Sequence, residues 1–238
     1  DFRAQIGLGE NDICILQATR LVQRKSIELA VDFVKALGNP ERRARLQRHG
    51  LYDGRNFGRN DRLVLLLAGY AQDDTAGHYV KRLKQKIAET KIDAIFIEER
   101  IGARRKKIDG QKIYALWDSY VFADFVTYPS VWEGWGNQLL EALRARLPFM
   151  IFEYPVYAAD IKDKGFRAVS LGADIAGQDD QGLVTVADDI IESAADEAVD
   201  LLVDKNLRRE LVEHNFRIAK EHYSLSALRR YLEDLVGT

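Results

Sequence analysis

The sequence has little of several features that define particular classes of protein. Cys14 is the only cysteine, so an internal disulfide is excluded, and its apolar neighbours favour a small buried hydrophobe over a reactive thiol. No uninterrupted apolar stretch is long enough to span a bilayer, and the first residues lack the apolar core of a signal peptide. These absences predict a protein of the reducing cytoplasm without a transmembrane segment.

An excess of charge of one sign is also missing. The 35 Lys and Arg residues nearly balance the 37 Asp and Glu residues, which gives a formal net charge of -2. We therefore expect neither a nucleic acid nor an anionic membrane as the main partner, and any anion site must be local. Met150 is the only methionine and the chain does not begin with one, so we expect either that these residues were cut from a longer protein or that the start is missing.

What the chain does have is a regular alternation of short apolar runs and longer helical patterns. Its 238 residues, 47% of them hydrophobic, are enough for one large core. Unbroken apolar runs are typical of strands buried on both faces, and strands separated by helices indicate a parallel sheet. The predicted strands are residues 13–18, 63–68, 92–97, 125–128 and 149–152.

The intervening segments predict helices, because apolar residues recur at three- and four-residue spacing. Together the two kinds of element predict an α/β fold with a Rossmann-like, doubly wound parallel sheet flanked by helices. In such sheets ligands bind beyond the carboxyl ends of the strands, so functional residues are expected directly after them. The predicted helices are residues 25–37, 75–90, 112–123 and 137–145.

The chain changes character after Gly182, where three helical segments follow one another. We predict a Rossmann-like ligand-binding domain over residues 1–182 and helices over residues 183–238 that pack on the same domain. Two polar stretches, residues 38–61 and 98–111, are interpreted as excursions from the domain. The three terminal helices are predicted over residues 187–203, 207–222 and 225–235, with Ser224 as the N-cap of the last.

The segment after the fourth strand has the features of an anion site. Glycines at 134 and 136 precede a helix predicted to begin near Asn137. Glycine lets backbone approach a ligand closely, and the N–H groups of a helix start favour a phosphate or a developing oxyanion. Taken alone, the two glycines are better explained as a turn between strand and helix, since Gly-x-Gly is a common sequence.

Two carboxylates flank this segment, Glu133 at the end of the strand and Glu141 inside the helix. Carboxylates accept hydrogen bonds from hydroxyls, so this pair suits a ligand with hydroxyls on both sides of its phosphates. A nucleotide sugar is such a ligand. The alternative for Glu141 is a solvated helix residue paired with Arg144.

Two motifs lie after the first and fourth predicted strands. The first is Thr19-Arg20-Leu-Val-Gln-Arg24-Lys25, and the second is Pro129-Ser130-x-x-Glu133-Gly-Trp-Gly136-x-x-x-x-Glu141-Ala142. Both resemble motifs of the family 4 glycosyltransferases, which have the GT-B fold. The resemblance extends through nearly the whole chain and implies the carboxyl-terminal, donor-binding domain of a retaining enzyme.

The resemblance implies a role for each matching residue. Arg20 and Lys25 would hold the diphosphate, Glu133 would bind the transferred sugar, and Glu141 would bind the ribose. Fixed cations stabilise the negative charge that develops on a leaving diphosphate, so no metal and no other cofactor is expected. The remaining implied ligand contacts are the backbone amides of Gly134, Trp135 and Gly136, and Ile101 near the base.

The sequence also departs from the family pattern. Thr19 stands where glycine is usual, Ser26 follows Lys25 in place of glycine, and Arg146 replaces a small residue. The family's amino-terminal acceptor domain is not found in this sequence. The acceptor, a saccharide or small molecule, is therefore not identified.

Several functions fit these observations. The first is retaining transfer of a hexose from a UDP-, GDP- or ADP-sugar to an acceptor hydroxyl, which requires the amino-terminal domain as a partner. A nucleotide-sugar-binding module that is inactive alone and a GT-B sugar phosphorylase are the alternatives. A dinucleotide-dependent oxidoreductase ranks last, because the turn after the first strand lacks Gly-x-Gly-x-x-Gly.

Overall fold

The computed structural model describes residues 1–70 and 77–237. A six-stranded sheet, all of whose pairings are parallel, forms its centre. A short hairpin and a three-stranded sheet lie outside it. The strands are β1 Ile13–Gln17, β2 Leu63–Leu67, β3 Asp93–Phe96, β4 Ile101–Gly102, β5 Lys106–Ile108, β6 Gln111–Ala115, β7 Phe125–Tyr128, β8 Phe149–Ile151, β9 Val169–Ser170, β10 Gly177–Gln178 and β11 Val184–Thr185.

The order of strands in the central sheet is β3-β2-β1-β7-β8-β9, the order of a Rossmann fold. The predicted α/β class and the five predicted strands are confirmed, each within one or two residues. The sixth strand, β9, was not predicted because two residues carry no periodic signal. The chain reverses its direction of strand addition between β1 and β7, which makes their carboxyl ends the switch point of the sheet.

Helices cover both faces of this sheet. Every residue of β1, β2, β7 and β8 is buried, which explains their unbroken apolar sequence. Cys14 is among them, and burial raises the pKa of its thiol, so the prediction of an inert cysteine is confirmed. The helices are α1 Phe2–Gln5, α2 Ile27–Leu37, α3 Pro40–His49, α4 His78–Thr90, α5 Leu116–Phe122, α6 Asn137–Ala145, α7 Asp188–Val203, α8 Lys205–Tyr223 and α9 Leu225–Val236.

The helix predicted over residues 112–123 is wrong over its first four residues. Strand β6 occupies those positions and pairs with β5 as an antiparallel hairpin, with Ile108 opposite Gln111. Asp109 and Gly110 form its two-residue loop with φ of 49° and 81°. Asp-Gly is a strong signal for a tight hairpin turn, and the turn overrides the helical periodicity that follows it.

Two other helix boundaries differ from the predictions. Residues 23–25 form a 3-10 turn, and α2 begins only at Ile27 because Ser26 has a left-handed φ of 45°. The first residues of the helix predicted over 75–90, Thr75 and Ala76, lie outside the described residues. The polar stretch 38–61 contains α3, whose N-cap Asn39 accepts a hydrogen bond from Glu41 N.

The three terminal helices form as predicted, but they are buried to different degrees. Helix α7 packs against α2 and α3, and α8 packs against α6 and α7. The Ser224 side chain caps α9 by accepting a hydrogen bond from Ala227 N, as predicted. Leu225 and Leu235 of α9 are nonetheless 87% and 81% exposed, so the leucine spacing does not mark burial in this helix. No helix in the described residues is long and apolar enough to cross a membrane.

Candidate functional site

The two sequence motifs meet at the switch point of the sheet. One follows β1 and the other follows β7, and these strands are neighbours in the sheet. The backbone joins them directly, because Val131 N donates a hydrogen bond of 3.2 Å to Arg24 O. This is the crevice in which doubly wound sheets bind ligands.

Lys25 and Glu133 form a buried ion pair at the centre of this crevice. The Lys25 ammonium contacts one oxygen of the Glu133 carboxylate, and the two side chains are only 9% and 7% exposed. Arg24 Nη1 donates to the other oxygen at 3.0 Å and to Trp132 O at 3.2 Å. Lys25 and Glu133, which are 108 positions apart in the chain, therefore neutralise each other's charge in one site.

The environment shifts the pKa of both partners in the same direction for different reasons. Burial acts to raise the pKa of Glu133, but Lys25, Ser130 and Arg24 outweigh it and hold that pKa below its usual value. Burial lowers the pKa of Lys25, and the neighbouring charges of Arg24 and Arg20 lower it further, while Glu133 opposes them. The carboxylate is therefore ionised at neutral pH and is bound by fixed cations.

Arg20 completes a cluster of cations at this edge. It is exposed, and its charge helps to lower the pKa of Lys25. Arg24 was quoted within the motif but received no predicted role, although the structure gives it two contacts to the opposite loop. The sequence signal that could have identified Arg24 is its position directly before Lys25.

Gly136 is required by the packing at the start of α6. It is the N-cap residue with φ of 103°, and an added Cβ would lie 2.2 Å from Tyr128 Oη and 2.7 Å from Tyr154 Oη. Gly134 differs, because a Cβ there would meet nothing within 4 Å. Among the described residues no side chain caps α6, so its start retains backbone N–H groups suited to an anion.

Aromatic side chains fix the backbone between these glycines. Tyr154 Oη donates to Trp135 O at 2.7 Å, and the Trp135 ring packs edge-on against Tyr223 of α8 at 4.9 Å. Trp132 is 62% exposed. The terminal helices therefore support the loop whose amides the resemblance assigns to the ligand.

Glu141 contacts a residue that the sequence did not single out. Tyr120 Oη on α5 donates a hydrogen bond of 2.6 Å to one oxygen of the half-buried Glu141 carboxylate. An ion pair between Arg144 and Glu141 is not among the contacts of the described residues, and the Arg144 guanidinium lies over the Trp117 ring, 5.0 Å from its centroid. Glu141 is thus held from one side by Tyr120.

Ile101 lies in β4, beside the loop that follows β2. Tyr70 Oη donates to Ile101 O at 3.4 Å, and Tyr70 O accepts from Leu21 N at 2.8 Å. Gly69 permits this arrangement, because a Cβ there would lie 1.6 Å from Thr19 O. Tyr70 therefore links Ile101 to Leu21, which follows Arg20 in the loop after β1. Among the described contacts, Ile101 touches neither Lys25 nor Glu133.

A cavity of about 790 Å³ lies at the opposite end of the sheet. Leu63 and Asp93, which begin β2 and β3, contribute to its wall. None of the predicted site residues lines it. The candidate site is therefore located by its paired charges and by the sheet topology, not by cavity size.

Comparison with known proteins places the chain in a family. Residues 1–217 match the glycosyl transferases group 1. The chain belongs to this family. It is 38% identical over 230 residues to mannosylglucosylglycerate synthase from Thermotoga maritima and 34% identical over 233 residues to the same enzyme from Petrotoga mobilis. These matches cover 97% and 95% of this chain but 50% of each relative, so the chain spans about half their length.

Solved glycosyltransferases share the fold of this group 1 chain. An α,α-trehalose-phosphate synthase (UDP-forming) from Burkholderia vietnamiensis aligns over 100% of this chain and 46% of its own, with a TM-score of 0.60 and 13% identity. WaaG, a glycosyltransferase involved in lipopolysaccharide biosynthesis, aligns over 100% and 50%, with a TM-score of 0.54 and 15% identity. The expected GT-B type of fold is thereby confirmed.

Proposed function

We propose that this chain is the nucleotide-sugar-binding half of a retaining hexosyltransferase. The observation that carries the proposal is the convergence of Lys25, Arg24 and Glu133 at the switch point, beside the uncapped start of α6. A site with clustered cations, helix N–H groups and one buried carboxylate suits a diphosphate joined to a sugar. Family membership supports the same reading.

The proposed chemistry places charge stabilisation on the protein itself. Breaking the bond between the sugar and the diphosphate leaves negative charge on the phosphate oxygens, and Arg20, Arg24 and Lys25 are positioned to stabilise it. Glu133 would accept hydrogen bonds from the sugar hydroxyls. Glu141 would bind the ribose through the oxygen that Tyr120 leaves available, and the region of Ile101 would receive the base.

The sugar and acceptor are proposed from the relatives' name. Both curated relatives are mannosylglucosylglycerate synthases, so we propose a mannosyl group as the transferred sugar and glucosylglycerate as the acceptor. The relatives are about twice the matched length, and we propose that acceptor binding belongs to the half that this chain does not match.

A thermal-shift panel tests the proposal. We would use the mannose and glucose conjugates of GDP, UDP and ADP, the three free nucleoside diphosphates, and inorganic phosphate. All measurements would be made in the presence of EDTA. The ligands that carry one of the three bases should raise the melting temperature clearly, since a ligand at 100 times its Kd stabilises the native state by about 2.7 kcal/mol. A response to inorganic phosphate without nucleotide would instead indicate a phosphorylase.

Two variants assign the site in the same panel. Lys25→Ala should abolish the shift by both nucleotide sugar and nucleoside diphosphate, because the diphosphate loses its buried cation. Glu133→Ala should weaken only the nucleotide sugar. Lys205→Ala, which removes an exposed cation on α8, is the matched control and should bind like the wild type. Wild-type binding by Lys25→Ala would refute the assignment.

A further inference from the structure

Two hydroxyls beside Glu133 are buried without a well-formed hydrogen bond to any residue that the structure describes. Tyr128 is 1% exposed and Ser130 is 0% exposed, and neither Tyr128 Oη nor Ser130 Oγ makes a well-formed hydrogen bond within the described residues. An unsatisfied buried hydroxyl costs stability, so most are paired in folded proteins. Two of them next to one carboxylate call for an explanation.

Both hydroxyls lie at the carboxyl end of β7. Tyr128 is the last residue of that strand, and Ser130 follows it by two residues. Thr127, one residue before Tyr128, donates instead to Gln17 Oε1 at 2.7 Å. The two hydroxyls without a well-formed hydrogen bond therefore stand where the strand reaches the candidate site.

Both hydroxyls lie within electrostatic reach of Glu133. Burial raises the pKa of Tyr128, and its interactions with the Tyr154 hydroxyl and the Glu133 carboxylate raise it further, while the neighbouring Ser130 hydroxyl helps to lower the pKa of Glu133. Tyr128 Oη also lies against the Cα of Gly136, directly behind the loop that carries the carboxylate. In this structure, however, Lys25 and Arg24 hold the two oxygens of Glu133.

The proposed function creates a need for other hydrogen-bond donors. A diphosphate bound by Lys25 and Arg24 competes with Glu133 for the same cations. A buried carboxylate that loses its cations is strongly disfavoured unless other donors replace them. Hydroxyls close to Glu133 whose O–H groups are not already donated elsewhere could replace the cations, and Tyr128 and Ser130 carry such hydroxyls.

We propose that the hydroxyls of Tyr128 and Ser130 are positioning groups that donate hydrogen bonds to Glu133 when a bound diphosphate draws Lys25 and Arg24 away. This inference rests on the proposed function. In the free protein the two hydroxyls lower stability. In the ligand-bound state they would stabilise the Glu133 carboxylate and keep it oriented toward the sugar.

Tyr128→Phe and Ser130→Ala test this assignment. Each variant should keep or raise the melting temperature of the free chain, because it removes an unsatisfied buried hydroxyl. Each should weaken binding of the nucleoside diphosphate that gives the largest shift with the wild type, by about tenfold, the effect of losing one hydrogen bond to a charged group. Isothermal titration calorimetry gives the Kd values.

Thr127→Val is the matched control from the same strand. It removes a buried hydroxyl that is already satisfied, so it should lower the melting temperature and leave the Kd unchanged. A double-mutant cycle with Glu133→Gln identifies the acceptor, because Tyr128→Phe should have no further effect on the Kd once the carboxylate is gone.

Three results would overturn the inference. Tyr128→Phe and Ser130→Ala with wild-type Kd values would show that the hydroxyls play no part in binding. A loss of affinity that persists in the Glu133→Gln background would show that they act on something other than Glu133. A lower melting temperature of the free variants would show a structural hydrogen bond. Failure of the proposed function is distinct, because the wild-type chain would then bind no nucleoside diphosphate.

Discussion

Two residues that depart from the family motifs stand at positions with left-handed backbone. Ser26 has φ of 45° directly after Lys25, and Arg146 has φ of 54° at the end of α6. Glycine adopts this conformation without a steric cost, whereas other residues pay about 1 to 2 kcal/mol. A glycine at position 26 would relieve this cost, whereas at position 146 a small residue with a Cβ would bear the same cost as arginine.

Gly136→Ala and Gly134→Ala make a matched pair of predictions. Alanine at 136 combines a positive φ with an overlap against Tyr128 Oη, so we expect a loss of about 3 kcal/mol in the free energy of unfolding. Alanine at 134 meets open space and should change it by less than about 0.5 kcal/mol. Urea denaturation measures both, and equal effects would contradict the packing argument.

At the scale of elements, a buried glutamate joins α2 to two other parts of the fold. Glu28 is 0% exposed and accepts hydrogen bonds from Tyr79 Oη of α4 at 2.6 Å and from Val184 N of β11 at 2.9 Å. Tyr79 Oη in turn accepts from Ile27 N at 2.8 Å. This network fixes the first turn of α2, two residues beyond Lys25, and so connects helix packing to the candidate site.

Removing the Glu28 carboxylate should loosen this junction. Glu28→Ala leaves the Val184 N–H and the Tyr79 hydroxyl buried without an acceptor, and we expect a loss of about 3 kcal/mol in unfolding free energy. Glu28→Gln retains one acceptor oxygen and should cost less. Equal stability of wild type and Glu28→Ala in urea titrations would be incompatible with this role.

The same residue predicts a dependence on pH. Burial raises the pKa of Glu28 above its ordinary 4.5, although Tyr79, Val184 and Lys86 oppose the shift. As pH rises above 4.5 the unfolded chain releases this proton before the folded chain does, so stability from this group falls through that window. The stability difference between wild type and Glu28→Gln should therefore shrink as pH rises, and a difference that grows would contradict the raised pKa.

At the same scale, the accuracy of sequence-based prediction varied with the kind of signal. Strands β1, β2 and β7 were found because burial on both faces requires unbroken apolar runs. The helix predicted over 112–123 failed because its apolar spacing fits both periods and the Asp109-Gly110 turn decided between them. Helix α3 was missed although Asn39 and Pro40 form a clear start signal.

At the scale of the whole molecule, the proposal divides binding from transfer. Nucleotide-sugar binding is assigned to this chain, and acceptor binding to the half of the relatives that it does not match. We therefore expect the 238-residue chain to bind the nucleotide sugar without transferring its sugar to glucosylglycerate. Calorimetry paired with a chromatographic assay for the product tests this, and robust transfer by the chain alone would contradict the division.

The sequence alone was sufficient for the fold class and for most of the candidate site. Local signals supplied both: buried strands must be apolar, and glycines, cations and carboxylates at fixed spacing mark the motifs after β1 and β7. Only the tertiary structure decided which groups touch. It paired Lys25 with Glu133 and Tyr120 with Glu141, and it left Tyr128 and Ser130 without a well-formed hydrogen bond to the described residues. Contacts between residues far apart in the chain depend on strand order and loop packing, which no local pattern records.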